Sequence, residues 1–280
     1  MSVLITGARG QVGQGVLGRL AASGFPVRAA SARPAELAVP DGVETVEMVL
    51  DRPETFGAAL DGVRQVFLYP EPAGIDELIK AAEAAGVEHV VLLSSAAVLG
   101  PDAETHPIGS HNLRVERALA DSTLTVTVLR PDAFASNSLG WAWPIGQSMP
   151  VALAYPDARI APIHPDDIAD IAAEALTGGT LAGRTVTLTG AESLSFREQL
   201  AILSDETGRE IPVERISRGE AEQQMGKYLP DRMVTALLDL WASAQDGPAE
   251  IADTTASLLG QPARSYRQWA RENAAAFGAE

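Results

Sequence analysis

The chain contains no cysteine. Disulfides, thiolate metal centres and thiol nucleophiles are therefore excluded, and a reducing cytoplasm is the expected setting. Histidine is nearly as scarce: His89, His106, His111 and His164 are scattered without ligand spacing, so no metal site is expected. Positive charge is in deficit, with 21 Lys and Arg against 37 Asp and Glu and a net charge of -16. Such an excess repels nucleic-acid phosphates and anionic lipid surfaces, so neither is expected as a partner. "SVLIT" follows Met1 without a basic leader, and no apolar run is long enough to span a bilayer, which argues against a signal peptide and a membrane helix. Repeats and low-complexity tracts are also missing.

What remains is a chain of 280 residues, 46% hydrophobic, sufficient for one large domain or for a core domain with a smaller one attached. The apolar runs "SVLIT", "PVRAA", "ETVEMV", "RQVFLY", "HVVLLS" and "LTVTVLR" read as strands. Between them "GQGVLGRLAAS", "PETFGAAL", "IDELIKAAEAAG" and "NLRVERALADS" carry apolar residues at helical spacing. Near-continuous hydrophobic strands alternating with helices predict an α/β fold, a Rossmann-type doubly wound parallel sheet covered on both faces. Beyond Pro131, "WAWPIGQSMP" reads as loop, "HPDDIADIAAEAL" as helix and "RTVTLTG" as strand, and from Ser193 the chain is mostly helical. The expected division is a nucleotide-binding domain over 1–135, rejoined by the strand near 184–190, and a smaller substrate region over 136–280.

"VLITGARGQVGQGVLGRL" sets Gly7, Gly10 and Gly13 between the first strand and the first helix. Glycine permits a tight turn and close backbone approach, and free N–H groups at a helix start attract pyrophosphate. Gly7, Ala8, Arg9, Gly10, Gln11, Val12 and Gly13 are therefore the candidate pyrophosphate loop. The second strand ends in "VRAASARP", which has Arg28 and Arg33 but no acid to bond an NAD ribose, and this favours NADP(H) over NAD(H). Arg9 is a further candidate for the 2′-phosphate, and the alternative for the arginines is solvated surface charge.

The glycine spacing together with "VLLSSAAVLG", "TVLRPDAFASN", "IHPDDIADIAAEAL", "LTGAESLSFREQLAILSDETGREI" and "SYRQWARENAAAF" resembles the NmrA-like branch of the atypical short-chain dehydrogenase/reductases. The resemblance covers almost the whole chain, and its motifs together look like those of bacterial NAD(P)H-dependent quinone or azo reductase-like members. It implies a cofactor contact from Asp51, whose other reading is a helix cap before Pro53. Tyr69 and Pro70 at the end of the fourth strand, Ser94 and Pro131 are likewise implied along the cofactor, although Pro70 also suits a plain strand end. Ser95 matches the serine that polarises a substrate carbonyl, with Ser94 as the alternative.

The Tyr-x-x-x-Lys pair of many short-chain reductases is missing, since none of Tyr69, Tyr155, Tyr228 and Tyr266 has lysine four positions on. "GSHNLRVERAL" offers His111 and Asn112 in its place, with Ser110 as the expected helix cap beside His111. Relatives carry His where this chain has Asn112, so His111 is displaced by one position. Glu116 reads as a solvated residue or a partner of Arg114 or Arg117. Phe134, Asn137, Trp141 and Trp143 are candidate substrate contacts, the aromatics serving equally as core. Hydride transfer to a small planar apolar acceptor of quinone, azo or conjugated-carbonyl type needs mainly alignment, so the missing pair is tolerable. The expected activity is an NADP(H)-dependent oxidoreductase on a small molecule, monomeric or homodimeric. Two other readings stand beside it: a non-catalytic NADP(H)-sensing regulator, and a tailoring reductase or isomerase of specialised metabolism.

Overall fold

In the computed structural model, which describes residues 2–278, the early apolar runs become strands whose neighbours hide both faces. β1 (Ser2–Ile5) leads to α1 (Gln11–Ala22), β2 (Val27–Ser31), β3 (Glu44–Glu47) and α2 (Phe56–Leu60). β4 (Val63–Leu68), α3 (Ile75–Ala85), β5 (His89–Leu93), α4 (Pro107–Ala120) and β6 (Thr125–Pro131) complete the alternation. The chain then leaves through α5 (Ala142–Gly146), β7 (Val151–Leu153) and β8 (Arg159–Ile160), and returns with α6 (Pro165–Thr177) and β9 (Thr185–Leu188). It leaves again through β10 (Leu194–Ser195), α7 (Phe196–Thr207), β11 (Val213–Arg215), α8 (Arg218–Met225), α9 (Asp231–Ser243), α10 (Thr254–Leu259) and α11 (Tyr266–Glu272).

These elements form two compact units. The first holds the described residues up to Pro131 together with Pro165–Leu188. Its sheet has seven strands in the order β3-β2-β1-β4-β5-β6-β9, every pairing parallel. The strand order reverses beside β1, and in open α/β sheets ligands lie outside the strand ends at that reversal. β5 is buried along its whole length, which a polar-alternating strand could not tolerate. On one face Leu4, Phe56, Leu60, Ile75, Leu92 and Val115 meet in a single apolar cluster. α6 packs beside α1, where Arg19 pairs with Asp166 and Asp170. The helix of "HPDDIADIAAEAL", read from the sequence with the smaller region, thus belongs to the first unit, because its buried Ile168, Ile171 and Leu176 are needed over the sheet.

The second unit holds Asp132–His164 and the described residues from Thr189 onward. β8 pairs antiparallel with β10, and β7 pairs parallel with β11. Its core gathers Ile145, Val151, Leu200 and Leu203 around Tyr266, Trp269 and Phe277. Ser195 starts α7 with a reciprocal capping box to Glu198, and Ser217 does the same for α8 with Glu220. "WAWPIGQSMP" is not the loop expected: Ala135–Trp141 is a 3₁₀ turn running into α5, which buries Ile145. Among the described residues no helix is long and apolar enough to cross a membrane.

Candidate functional site

The glycine turn is shaped by backbone crowding. Gly7 adopts φ +62°, and a Cβ there would also lie 2.8 Å from Cβ of Tyr69. A Cβ on Gly13 would lie 2.4 Å from the Gly7 carbonyl oxygen, so helix and turn close up only without a side chain. The Gly10 N–H donates to the Gly7 oxygen at 2.9 Å, and the first α1 bond runs from the Gln14 N–H to the Gly10 oxygen at 2.9 Å. No side chain caps α1 and no acid stands in its first turn, so the N–H groups of Gln11, Val12 and Gly13 remain available for an anion. A dinucleotide pyrophosphate fits that donor set.

At the end of β2, where an acid would meet an NAD ribose, stands the buried Ser31. Its Oγ accepts from Arg9 Nη2 at 3.4 Å and from the Arg33 N–H at 3.0 Å. The Arg33 guanidinium pairs with Glu36 at 3.0 Å, both side chains exposed. Arg28, the other arginine of this segment, is spent elsewhere, bonding Glu44 and the carbonyls of Ala59 and Asp61. Asp51 is exposed and caps neither following helix, since Arg52 and Thr55 occupy those positions. Its capping reading is therefore removed.

Tyr69 and Pro70 lie just past β4, the tyrosine 54% exposed beside Gly7 and the proline buried. The Tyr69 N–H donates to Thr6 Oγ1 at 2.7 Å, and that hydroxyl donates to the Phe67 oxygen at 3.1 Å. The two serines after β5 differ in what they leave free. Ser94 Oγ donates to Glu116, leaving it only lone pairs. Ser95 Oγ accepts from the Ala97 N–H at 3.2 Å and keeps its proton for another group.

Glu116 is neither solvated nor paired with its helical neighbours. Its carboxylate, 10% exposed, meets Arg130 Nε at 3.0 Å and Arg130 Nη2 at 2.5 Å in a bidentate pair. Arg114 instead faces Asp76, and Arg117 pairs with Glu104. The Ser94–Glu116–Arg130 array was missed from the sequence because it joins β5, α4 and β6 across the packed layer. The only available signal was the arginine directly before Pro131.

α4 begins at Pro107, earlier than its apolar pattern suggests. His106 caps it, Nδ1 accepting from the Gly109 N–H at 3.3 Å, while Ser110 turns its hydroxyl back to the His106 oxygen at 2.9 Å. Proline suits the first helical position because its fixed φ is helical and it lacks the N–H that would go unpaired. Ser110 is thus not the cap, and His111 lies within the helix. Its Nε2 is 3.0 Å from the Pro70 carbonyl, which can only accept, so the ring donates there and in its neutral form offers Nδ1 only as an acceptor. Asn112 is 4% exposed; Nδ2 donates to the Ile108 oxygen at 2.8 Å, and the buried Oδ1 has no partner among the described residues.

Pro131 is buried and pairs with Leu188 in the sheet. In the second unit Phe134 bridges to Ile163, and Asn137 is exposed on the following 3₁₀ turn. Trp141 meets Phe196 edge-on at 5.8 Å and belongs to that unit's core, whereas Trp143 is 68% exposed. Asp132, also half-buried, has its carboxyl pushed above the usual carboxylate range by burial, with the Ala133 N–H partly opposing this.

Residues 7–178 match the family described as NAD(P)H-binding. The (4-alkanoyl-5-oxo-2,5-dihydrofuran-3-yl)methyl phosphate reductase of Streptomyces griseus subsp. griseus is 38% identical, over 99% of this chain and 100% of its own. The NAD(P)H azoreductase of Xenophilus azovorans is 32% identical, over 99% of both chains. The NADPH-dependent quinone oxidoreductase of Escherichia coli, solved with NADPH, shares the fold with a TM-score of 0.81 at 23% identity, over 97% of this chain and 99% of that one.

Proposed function

The chain belongs to this NAD(P)H-binding family and is an oxidoreductase; on that premise we propose that it favours NADPH and reduces a small, planar, apolar, electron-poor acceptor. Conjugated carbonyls, quinones and azo compounds are the classes that fit. The observation that carries this reading is the Ser95 hydroxyl, whose proton is free while that of Ser94 is held by Glu116. A neutral hydroxyl steadies a modest, delocalised negative charge but is a poor proton donor at neutral pH. A saturated ketone concentrates charge on one oxygen as it is reduced and needs the acidic tyrosine this chain lacks. A conjugated acceptor spreads that charge and takes its proton from solvent, so alignment supplies most of the rate. When bound, the nicotinamide provides the hydride. The names of the relatives, one a reductase of a dihydrofuranone that carries a methyl phosphate and another of azo compounds, support the conjugated character of the acceptor, though the phosphate of the first is not apolar.

Preference for NADPH rests on Arg9 and on Ser31 at the end of β2. An exposed cation beside a hydroxyl that keeps its proton suits a 2′-phosphate and gives an unphosphorylated ribose less. Steady-state oxidation of NADPH and NADH should be followed with a benzoquinone, an unsaturated lactone, an azo dye and a saturated ketone. Turnover is expected with the first three and not the fourth, with kcat/KM higher for NADPH. Cofactor binding without oxidation by any acceptor would overturn the reading and leave the regulator in its place.

A further inference from the structure

The one-residue displacement of histidine on α4 has a structural counterpart on the far side of the glycine turn. The segment "YPEPAG", Tyr69 to Gly74, carries an exposed aromatic ring against Gly7 and is nearly rigid. Pro70 and Pro72 fix φ at two positions. The Ala73 N–H donates to Glu71 at 3.0 Å, and Gly74 takes φ +67° where a Cβ would lie 1.9 Å from the Leu50 oxygen. Such a segment moves as one piece, so few bonds decide where Tyr69 stands. From β1 the bond is Tyr69 N–H to Thr6, the residue before Gly7. From α4 it is His111 Nε2–H to the Pro70 carbonyl.

We propose that His111 is a positioning residue: through the Pro70 carbonyl it holds Tyr69 against the glycine turn as a wall of the dinucleotide cradle, and it is not the proton donor of the reaction. The assignment rests on the cofactor-binding reading above. It follows from tautomer and reach. The Nε2 proton is already engaged by a carbonyl, and the remaining nitrogen of the neutral ring only accepts. A histidine one position later would project about 100° further round the helix, away from this bond.

The test is a fluorescence titration of NADPH in the absence of any acceptor, with wild type, His111→Ala and His111→Gln. Glutamine places an amide N–H close to the reach of Nε2. Loss of one hydrogen bond should raise Kd in His111→Ala about five- to tenfold, and His111→Gln should recover most of it. With saturating NADPH and a benzoquinone, kcat of both variants should stay close to wild type and its pH profile should be unchanged. Equal Kd values for all three proteins would overturn the latch. A fall of kcat at saturating NADPH in both variants, with loss of the basic limb of the pH profile, would make His111 the donor and overturn the proposal from the other side. Should His111→Ala not fold, His111→Asn, whose amide falls one bond short of Pro70, takes its place with the same expectation. Because the titration uses no acceptor, an incorrect choice of acceptor class does not disturb it.

Discussion

Removing the Arg130 guanidinium by Arg130→Met leaves the Glu116 carboxylate with one hydrogen bond, from Ser94, in a position 10% exposed. Breaking a fully buried ion pair from one side costs about 3–5 kcal/mol. Arg130 is 22% exposed, so water can follow into part of the vacated space, and about 2–3 kcal/mol is the better expectation. That lowers Tm by about 5–10 °C for a chain of this size. Glu116→Gln combined with Arg130→Met removes both charges and keeps an acceptor for Ser94, so the double variant should regain more than half of the loss. Urea unfolding of wild type, both single variants and the double variant closes a thermodynamic cycle. A loss below about 0.5 kcal/mol in Arg130→Met, or a double variant no more stable than Arg130→Met, would refute the view that these charges are held by each other and not by solvent.

Gly13→Ala should weaken NADPH binding at least tenfold in an equilibrium titration, because the added Cβ meets the Gly7 carbonyl at 2.4 Å and backbone cannot yield as a side chain does; an unaltered Kd would refute the crowding. Arg9→Ala should cut the NADPH over NADH ratio of kcat/KM about tenfold with the NADH value unchanged, and an equal fall for both cofactors would place Arg9 elsewhere. His89 is buried, donating to Thr127 Oγ1 at 2.8 Å, whose own proton is taken by the Leu181 oxygen. Burial lowers the histidine below its ordinary 6.5, so near that pH the unfolded chain binds this proton more readily than the folded one. Its contribution to stability is intact above about pH 6.5 and declines as the pH falls below it, by at most about 1.4 kcal/mol per pH unit. His89→Gln should flatten Tm against pH in that window, and an unchanged slope would exclude His89 as the cause. Asp132 has the opposite linkage: burial raises its pKa and makes it a weaker acid in the folded chain, which costs stability above the carboxylate range. Asp132→Asn should therefore raise Tm at pH 7 and lose that advantage towards pH 4.

The sheet was legible because burial on both faces forces near-continuous apolar strands, and "HVVLL" admits little else. The turn after β1 was legible for a related reason: Gly7 and Gly13 answer local backbone crowding, which sequence spacing records. Partnerships across the layers were not. Glu116 has arginines at 114 and 117 within its own helix, yet its partner is Arg130, selected by how α4 lies on β6. The start of α4 was hidden because Pro107 and Gly109 dilute the apolar rhythm that marks its later turns, while the capping signal came from a histidine, an uncommon residue in that role. The reading of "WAWPIGQSMP" as loop gave weight to its proline and glycine and too little to Ile145, whose burial decides the local structure.

The seventh strand, β9, reaches the sheet only after the chain has left for Asp132–His164 and come back. The peptide therefore crosses between the two units three times, at Pro131/Asp132, His164/Pro165 and Leu188/Thr189. During synthesis, β6 can pair with β5 on one side, but its outer edge stays bare until Thr185–Leu188 follows, an interval in which that edge is open to pairing with another nascent chain. Proteolysis or gene truncation between the two segments of the first unit cannot release that unit whole. A fragment ending at Pro131 retains the glycine turn but loses both α6, which packs beside α1, and the strand that covers the β6 edge, so its failure to bind a dinucleotide would report on those missing elements and not on the turn.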